Sequence, residues 1–272
     1  MCATCGCAGD GVTIVAMHDH DHPHDHDHDH PHPHDHAHPH DHAHPHPVVA
    51  DPPTAVVTLE QDLLAKNDLL AARNRGWFEG RGILALNLMS SPGSGKTSLL
   101  ERTIRDLSAE VEVSVVEGDQ ETLLDAERIR ATGCRVVQIN TGSGCHLDAE
   151  MLASGLRTLA PPSQSVVFIE NVGNLVCPAL FDLGEQRRVV VMSVTEGADK
   201  PLKYPHMFRT ADLLVLNKLD LLPYVDFDVE QCLAYARQIR PELPALTVSA
   251  TRGDGLDGWY DWLRGQLPQR DV

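Results

Sequence analysis

The sequence predicts an α/β fold in which helices flank a mostly parallel sheet. From residue 83 onward, short apolar runs rich in β-branched residues alternate with longer amphipathic stretches, which is typical of buried parallel strands joined by helices. The first run leads into the glycine-rich stretch "MSSPGSGKTSLL", which gives the order strand, loop and helix. Residues 18–53 contain only His, Asp, Pro, Ala and Val, so we expect a disordered Cys/His-rich N-terminal extension in front of the folded domain.

The extension divides into two parts of different composition. Residues 1–17 form a cysteine-rich head, and residues 18–53 form a tract with a histidine at every second position from His18 to His46. Because the fifteen histidines are separated by Asp, Pro and Ala, each imidazole can pair with others at many spacings. We interpret the tract as a reservoir for divalent metal ions. A specific delivery site and a tract without a metal role are the alternatives.

The composition narrows the classes of partner and the compartment. The chain has 272 residues and a net charge of −17, which argues against a nucleic-acid partner held by phosphate contacts. No apolar run is long enough for a membrane span, and the N-terminus lacks the basic and apolar regions of a signal peptide. We therefore expect a cytoplasmic protein, in which the seven cysteines are core residues or metal ligands rather than disulfides.

The folded domain, residues 54–272, is predicted to begin with a helix. Leucines recur at helical spacing at Leu59, Leu63, Leu64, Leu69 and Leu70. Gly80 and Gly82 are predicted to end this helix. The predicted strands are "ILALNLM", "VEVSVVE", "RVVQIN", "SVVFIE", "RVVVMSV", "DLLVLN" and "PALTVS". Helices are predicted between several of them, at 97–109, 121–132, 147–159 and 226–239.

The stretch "MSSPGSGKTSLL" has the residues of a phosphate-binding loop. Its small residues let backbone N–H groups point at phosphate oxygens, and the next helix presents its positive N-terminus to the same anion. Lys96 is expected to reach the β- and γ-phosphates, and Thr97 to bind Mg²⁺. The full pattern has glycine where this chain has Ser90, which is also small. The predicted nucleotide-binding residues here are Ser91, Gly93, Ser94, Gly95, Lys96, Thr97 and Ser98.

Two later motifs predict that the base is guanine. "NKLD" follows a strand and carries Asn217, Lys218 and Asp220. The Asp220 carboxylate can accept two hydrogen bonds from the ring N–H and amino group of guanine, a donor pair that adenine lacks, so GTP is favoured over ATP. Asn217 is expected to bind the base or the neighbouring loop, and the stem of Lys218 to lie on the ring. In "VSATRGDG", the backbone of Ser249 and Ala250 can meet the guanine O6.

Acidic residues between these motifs are candidates for Mg²⁺ binding and hydrolysis. Glu170 and Gly173, in "ENVG", occupy the place where GTPases carry Asp-x-x-Gly, so we expect Glu170 to contact Mg²⁺ and Gly173 to sense the γ-phosphate. Asp119 is a second candidate for Mg²⁺ or for positioning water. Together with Lys96, these residues form the predicted catalytic set. Because no catalytic glutamine or arginine finger is evident, intrinsic hydrolysis of GTP to GDP and phosphate is expected to be slow.

Cysteines and a histidine form candidate transition-metal sites. Cys145 and His146 are adjacent, and Cys177 lies four residues after Gly173. Thiolate and imidazole suit Zn²⁺ or Ni²⁺. Because adjacent side chains project differently, we expect one chain to supply an incomplete site that a second subunit completes; a buried cysteine beside a solvent-facing histidine is the alternative. In the head, the thiols of Cys2, Cys5 and Cys7 together with a free α-amine suit square-planar Ni²⁺. The remaining cysteines, Cys134 and Cys232, are interpreted as core residues.

The motifs together resemble the HypB family, the GTPases of nickel insertion into [NiFe]-hydrogenase. The resemblance rests on "MCATCGC", the histidine tract, "SSPGSGKT", "EGDQET", "TGSGCHLDAEM", "IENVGNLVCPA", "KPLKYPHMFRTAD" and "NKLDLLPYVDFD". It implies a P-loop GTPase fold of the SIMIBI class, a homodimer linked to GTP, and interface metal ligands at Cys145, His146 and Cys177. It also implies a HypA-type nickel-binding accessory protein and the hydrogenase large subunit as partners.

Two rival functions remain open at this stage. A related GTPase family serves urease, but its metal motif is Cys-Pro-His, whereas here Cys145 directly precedes His146 and a cysteine head is added. A nickel or zinc storage protein with an incidental nucleotide-binding domain is the other alternative. Deletion of the histidine tract would distinguish a storage protein from a nickel metallochaperone with a reservoir. A storage protein would lose its function at every nickel concentration, whereas a metallochaperone would lose it mainly when nickel is scarce.

Overall fold

One mixed sheet forms the centre of the molecule. The computed structural model describes residues 13–16, 54–120 and 122–267. The strands of the sheet follow the order β1-β4-β3-β5-β2-β6-β7-β8, and β2 to β8 are parallel to one another. Their bounds are β1 Thr13–Ala16, β2 Leu84–Ser90, β3 Val113–Asp119, β4 Arg135–Asn140, β5 Val166–Glu170, β6 Arg187–Ser193, β7 Leu213–Asn217 and β8 Ala245–Thr247. All seven strands predicted within the folded domain are confirmed.

The strand β1 was not predicted. It lies within residues 1–17, which the sequence analysis assigned entirely to the cysteine-rich head, and it pairs antiparallel with β4. Its sequence, Thr-Ile-Val-Ala, is rich in β-branched residues, and β4 would otherwise present an open edge. Cys2, Cys5, Cys7 and the histidine tract lie outside the described residues, so their predicted roles stay predictions.

Helices cover both faces of the sheet. They are α1 Thr54–Glu79, α2 Lys96–Leu107, α3 Leu124–Arg130, α4 Ala149–Leu159, α5 Lys200–Lys203, α6 Pro205–Thr210, α7 Val229–Ile239 and α8 Leu256–Gln266, with 3₁₀ turns at Cys177–Ala179 and Leu219–Tyr224. α3 is shorter than the predicted helix at 121–132. The Asp119 carboxylate accepts hydrogen bonds from the backbone N–H and hydroxyl of Thr122, at 2.9 and 2.8 Å, which forms a turn before the helix can begin.

The core explains why the strands read as continuous apolar runs. Every residue of β2 and β7 is buried, because helices pack on both faces of the sheet. α2 and α8 cover one face, where Trp259 donates a hydrogen bond to the Thr103 hydroxyl at 2.9 Å. α1 and α4 cover part of the other face, and Cys232 of α7 is fully buried there, as expected for a core residue. The carboxyl ends of β2, β3, β5 and β7 meet at one edge, which is where parallel sheets bind ligands.

Candidate functional site: a nucleotide cleft beside a thiol–imidazole cluster

A cleft of about 450 Å³ opens at the carboxyl edge of the sheet. Most residues predicted from the phosphate-loop and acidic motifs lie on its wall, together with several that were not predicted. The lining residues are Pro92, Gly93, Ser94, Gly95, Lys96, Thr97, Ser98, Asp119, Gln120, Asp125, Arg128, Glu170, Val172, Gly173 and Lys218. Ser91 is the exception within the loop, because its hydroxyl donates to the Glu196 carboxylate instead.

The phosphate loop is held in shape by Asn217 and Lys218 of the "NKLD" motif. Gly95 has φ of +93°, and a β-carbon there would lie 2.6 Å from the Asn217 side-chain nitrogen, so only glycine fits. Asn217 donates to the Ser94 carbonyl at 3.1 Å and accepts from the Ala250 backbone N–H at 3.1 Å. Lys218 donates to the Gly93 carbonyl at 2.6 Å. Of the two roles foreseen for Asn217, the structure shows contact with the neighbouring loop.

Lys96 is a buried cation at the base of the loop. Its side chain donates to the Ser90 hydroxyl at 2.7 Å, so the serine that replaces the usual glycine gives it a neutral partner. Burial lowers the pKa of Lys96, while the nearby Glu170 carboxylate opposes this effect. A desolvated ammonium group at the end of a phosphate loop is strongly favoured by an incoming anion.

Thr97 and Glu170 form a paired oxygen site next to Lys96. The Thr97 hydroxyl donates to one carboxylate oxygen of Glu170 at 2.7 Å. The other carboxylate oxygen, Oε2, is buried and has no hydrogen-bond partner among the described residues. Burial raises the pKa of Glu170, while the Lys96 charge and the hydrogen bond from Thr97 oppose this effect. A hydroxyl and an under-satisfied carboxylate are oxygen ligands that suit Mg²⁺.

The sequence missed Glu117 and Arg128. Glu117 of β3 is buried in register with Glu170 and Gln138 on the neighbouring strands, and burial followed by the Glu170 charge raises its pKa to about 9. Arg128 of α3 contacts the Glu101 carboxylate at 2.6 Å and the Ser98 hydroxyl at 3.1 Å on the cleft wall. Local sequence gave no signal for either residue, because their neighbours come from other elements.

The residues predicted to bind guanine, Asp220 and Ser249, contact each other. Asp220 lies in the 3₁₀ turn after Lys218, which adopts a left-handed backbone conformation with φ of +61°. The Ser249 hydroxyl donates to one carboxylate oxygen of Asp220 at 2.6 Å and accepts from the Arg252 backbone N–H at 3.1 Å. These contacts hold the Asp220 carboxylate of "NKLD" against "VSATRGDG", as expected if both stretches bind one base.

Cys145, His146 and Cys177 converge on one point. Their ligand atoms all lie within 4.8 Å of one another. The Cys145 sulfur is 2.9 Å from the Cys177 sulfur and 3.7 Å from Nδ1 of His146. The adjacent side chains were expected to project differently, yet both reach this point. That one chain supplies an incomplete site stays a prediction. A tight turn, with Gly144 N–H bonded to the Thr141 carbonyl at 2.8 Å, precedes the pair.

His146 is partly buried against an aromatic ring. Its imidazole stacks on the Phe181 ring, with centroids 3.9 Å apart and planes at 26°, and burial lowers its pKa. A lowered pKa keeps the imidazole neutral, which is the form that binds metals. The alternative of a solvent-facing histidine is therefore wrong. Two thiols and a neutral imidazole give one chain three soft donors, which leaves a four-coordinate Zn²⁺ or Ni²⁺ one ligand short.

The segment from Glu170 to Cys177 contacts both the cleft and the cluster. Asn171 accepts a hydrogen bond from the backbone N–H of Leu147, the residue after His146, at 3.2 Å. A β-carbon on Gly173 would lie 3.0 Å from the Pro92 α-carbon, so this glycine rests directly on the phosphate loop. The same short segment therefore bonds to Thr97 at its start, touches the loop in its middle and carries a thiol at its end.

Comparison with known proteins agrees with this arrangement. Residues 84–247 match the family described as "CobW/HypB/UreG, nucleotide-binding domain". The protein of Rhizobium leguminosarum bv. viciae named "Hydrogenase maturation factor HypB" is 58% identical over 217 residues, which cover 80% of this chain and 73% of that protein. The chain belongs to the HypB family. Its parallel sheet flanked by helices is accordingly the fold of that family.

Solved HypB structures have the same fold. The crystal structure of HypB from Archaeoglobus fulgidus aligns with a TM-score of 0.71 at 44% identity and covers 75% of this chain and 100% of that one. A structure titled "Crystal structure of HypB from Helicobacter pylori in complex with nickel" aligns with a TM-score of 0.69 at 37% identity, over 76% of this chain and 99% of that one. Within the described part of this HypB family member, none of the helices has the length and apolar character needed to cross a bilayer.

Proposed function

We propose that the protein is a GTP-hydrolysing nickel metallochaperone that delivers Ni²⁺ during maturation of [NiFe]-hydrogenase. Its relatives are named hydrogenase maturation factors, and one solved relative is described as a nickel complex. The observation that carries the proposal is the segment from Glu170 to Cys177, which contacts the phosphate loop and supplies a thiol to the metal cluster. A nucleotide cleft and a transition-metal cluster joined in this way suit a metal carrier controlled by nucleotide.

The residues of the cleft and of the neighbouring "NKLD" motif divide the work of binding and hydrolysis. Lys96 binds the β- and γ-phosphates, and Asp220 selects guanine. Thr97 and Glu170, with Asp119 nearby on the cleft wall, hold Mg²⁺. Mg²⁺ bound there would neutralise charge on the phosphate oxygens. Asp119 also orients the attacking water, and intrinsic turnover is slow because the sequence shows no evident catalytic glutamine or arginine finger.

Nucleotide controls the metal cluster through the connecting segment. The γ-phosphate contacts Gly173, and the resulting shift passes to Cys177 along the chain and to His146 through Asn171. The GTP-bound form dimerises, so that a second subunit supplies the donors that the three ligands of one chain lack. Coupling between two sites is reciprocal, so nickel also changes the affinity for GTP. Hydrolysis returns the protein to the state that existed before GTP bound.

The N-terminal extension supplies nickel to this cycle. Cys2, Cys5 and Cys7 form a separate nickel site, and the histidine tract keeps a local reserve of the ion. A HypA-type nickel-binding protein and the hydrogenase large subunit are the partners in transfer, which takes place in the cytoplasm. Zn²⁺ is a second ion that the interface ligands accept.

Nickel titration of thiol variants tests the metal assignment. The full chain carries Cys2→Ser, Cys5→Ser and Cys7→Ser, so that thiolate-to-nickel charge-transfer absorption reports the cluster and not the head or the tract. Cys145→Ala and Cys177→Ala are expected to remove this absorption and leave GTP binding intact. Cys134→Ala is the matched control, because burial raises the pKa of Cys134 to about 12 and keeps it a protonated thiol. Absorption that survives in Cys145→Ala would show that the ligands lie elsewhere.

A further inference from the structure

The helix α1 contacts both segments that carry the metal-cluster ligands. One segment contains Cys145 and His146 and continues into α4, and the other runs from Cys177 to residue 184. The two segments are far apart in the sequence, and α1 precedes the family's nucleotide-binding domain, which begins at residue 84. A helix outside that domain therefore packs against the parts of the domain that hold the cluster.

Asn67 joins the two segments with a single side chain. It is only 6% exposed. Its oxygen accepts a hydrogen bond from the Ala149 backbone N–H at 2.9 Å, three residues after His146. Its nitrogen donates to the Asp182 carbonyl at 2.7 Å, one residue after the Phe181 ring that stacks on His146. One amide group thus fixes the distance between the backbones of both segments.

Asn74 repeats this arrangement two helical turns later, on the same face of α1. Its nitrogen donates to the Ala149 carbonyl at 2.8 Å and to the Leu183 carbonyl at 3.0 Å. The neighbouring Arg75 binds both carboxylate oxygens of Asp182, at 2.8 and 2.7 Å. The contacts of the two asparagines therefore fall on nearly the same backbone positions of the two segments.

Asparagine is an unfavourable choice for the interior of a helix and for a buried position. It has a lower helix propensity than leucine or alanine, and a buried amide is tolerated only when it is hydrogen-bonded. Here both polar atoms of the Asn67 amide and the amide nitrogen of Asn74 bond backbone groups of the ligand-bearing segments and not of α1 itself. Apolar residues would fill the same space but would not fix the two backbones at hydrogen-bonding distance.

We propose that Asn67 and Asn74 are positioning residues for the Cys145–His146–Cys177 cluster and that α1 sets the separation of its two ligand-bearing segments. The proposal rests on the proposed role of this cluster in binding nickel. It extends the metal site beyond its ligands to a helix that begins directly after the N-terminal extension. Groups that orient metal ligands typically change metal affinity by about 10- to 100-fold when they are removed.

The test measures nickel binding in the full chain that carries Cys2→Ser, Cys5→Ser and Cys7→Ser. Asn67→Ala and Asn74→Ala are compared with Lys66→Ala, whose exposed ion pair with Glu150 at 3.2 Å also joins α1 to α4. Thiolate-to-nickel absorption gives the affinity and the spectrum of the cluster, and GDP binding shows that the domain is folded. Each asparagine variant is expected to bind Ni²⁺ about tenfold more weakly, with a changed absorption band and unchanged GDP affinity. Lys66→Ala is expected to match its parent.

Further variants separate the possible failures. If Cys145→Ala binds Ni²⁺ as its parent does, the proposed metal site is wrong. If Cys145→Ala loses the band while both asparagine variants keep the parent's affinity and spectrum, the role of α1 is wrong. Arg75→Ala covers the case in which a buried asparagine variant does not fold, because Arg75 is partly exposed and its loss frees only the Asp182 side of the contact. Where the asparagine variants do not fold, weaker nickel binding by Arg75→Ala than by its parent supports the role of α1, and parent-like binding overturns it.

Discussion

Lys96 and Glu170 lie side by side beneath the phosphate loop, where isolated charges are costly. Burial moves the pKa of each towards the neutral form, downward for the lysine and upward for the carboxyl group. The triphosphate would favour the charged form of Lys96, and Mg²⁺ would favour the charged form of Glu170. The site is therefore organised for a ligand that brings anionic oxygens and a cation together.

Asp220→Asn tests the choice of base. The Asp220 carboxylate accepts two hydrogen bonds from guanine. The asparagine amide instead offers one donor, which matches xanthine, because xanthine has a carbonyl oxygen where guanine has an amino group. GTP affinity is expected to fall by about 2 kcal/mol, or roughly 30-fold, and XTP affinity to rise above it. Asp226→Asn, an exposed neighbour outside the motif, is the control in the same equilibrium titrations. If the Asp220 variant still prefers GTP to XTP, the base-binding assignment is wrong.

Glu117→Gln tests the buried carboxyl group that sequence reasoning missed. The folded pKa of Glu117 is about 9 and the ordinary value is 4.5, so between these values the folded state keeps a proton that the unfolded state has released. The contribution of the protonated Glu117 carboxyl group to the free energy of unfolding is therefore complete at low pH. It is lost as the pH rises from about 4.5 to about 9. Without Mg²⁺ and nucleotide, wild-type unfolding free energy is expected to fall by about 1 kcal/mol per pH unit relative to the variant.

Denaturant unfolding of both proteins at several pH values between about 5 and 8 measures this difference directly. Other titrating groups are common to both chains and cancel in the comparison. Parallel curves of stability against pH would show that Glu117 is ionised in the folded protein.

Functional residues could be predicted from the sequence where they lie close together within one motif. The loop around Lys96 was found because phosphate binding needs small residues, lysine and threonine at fixed spacing. Asn67, Asn171, Glu117 and Arg128 were not found, because their partners lie on other elements and single residues of these types have no pattern. The convergence of Cys145 with His146 also needed the structure, since it depends on a tight turn and on Phe181.

At the scale of elements, the segment from Glu170 to Cys177 links the cleft to the cluster. It follows a fully buried strand, so its beginning is fixed, and the 3₁₀ turn at Cys177–Ala179 ends it. Asn171 anchors it sideways by accepting from Leu147 and donating to Asn87 at 3.2 Å. A shift at Gly173 therefore has a direct route to both metal-bearing segments.

Asn171→Ala is expected to weaken the effect of nucleotide on nickel affinity. The variant leaves the Leu147 N–H without its acceptor, so movement at the cleft is no longer passed to His146. The ratio of nickel affinities with GDP and with a GTP analogue is expected to fall by about threefold or more, while GDP binding persists. Ser108→Ala is the control, because its exposed hydroxyl bonds the Arg105 carbonyl within its own turn at 3.2 Å, away from both sites. A folded Asn171 variant with the full wild-type ratio would exclude this route.

The strands and most helices were predictable because burial on both faces leaves a continuous apolar signature in the sequence. Two features departed from the expectation for local reasons. The strand β1 lies in a head dominated by cysteine and glycine, and its short length gives no periodic signal. α3 begins late because Asp119 and Thr122 form a turn first.

At the scale of the whole molecule, acidic charge, a nucleotide cleft and thiol ligands meet in one chain. The net charge of −17 is compatible with a protein that concentrates cations. The three converging ligands of one chain leave a metal ion short of donors, which is the physical reason for expecting a second subunit to complete the site. The central claim is that GTP controls this completion.

One nickel titration tests that claim most directly. The full chain with Cys2→Ser, Cys5→Ser and Cys7→Ser is titrated with Ni²⁺ in its GDP form and with a non-hydrolysable GTP analogue, and thiolate-to-nickel absorption and molecular mass are recorded together. We predict that the GTP form is a dimer and that its nickel affinity differs from that of the GDP form by at least about fivefold. Equal nickel affinities in the two forms would contradict the account, because the nucleotide would then not control the metal site.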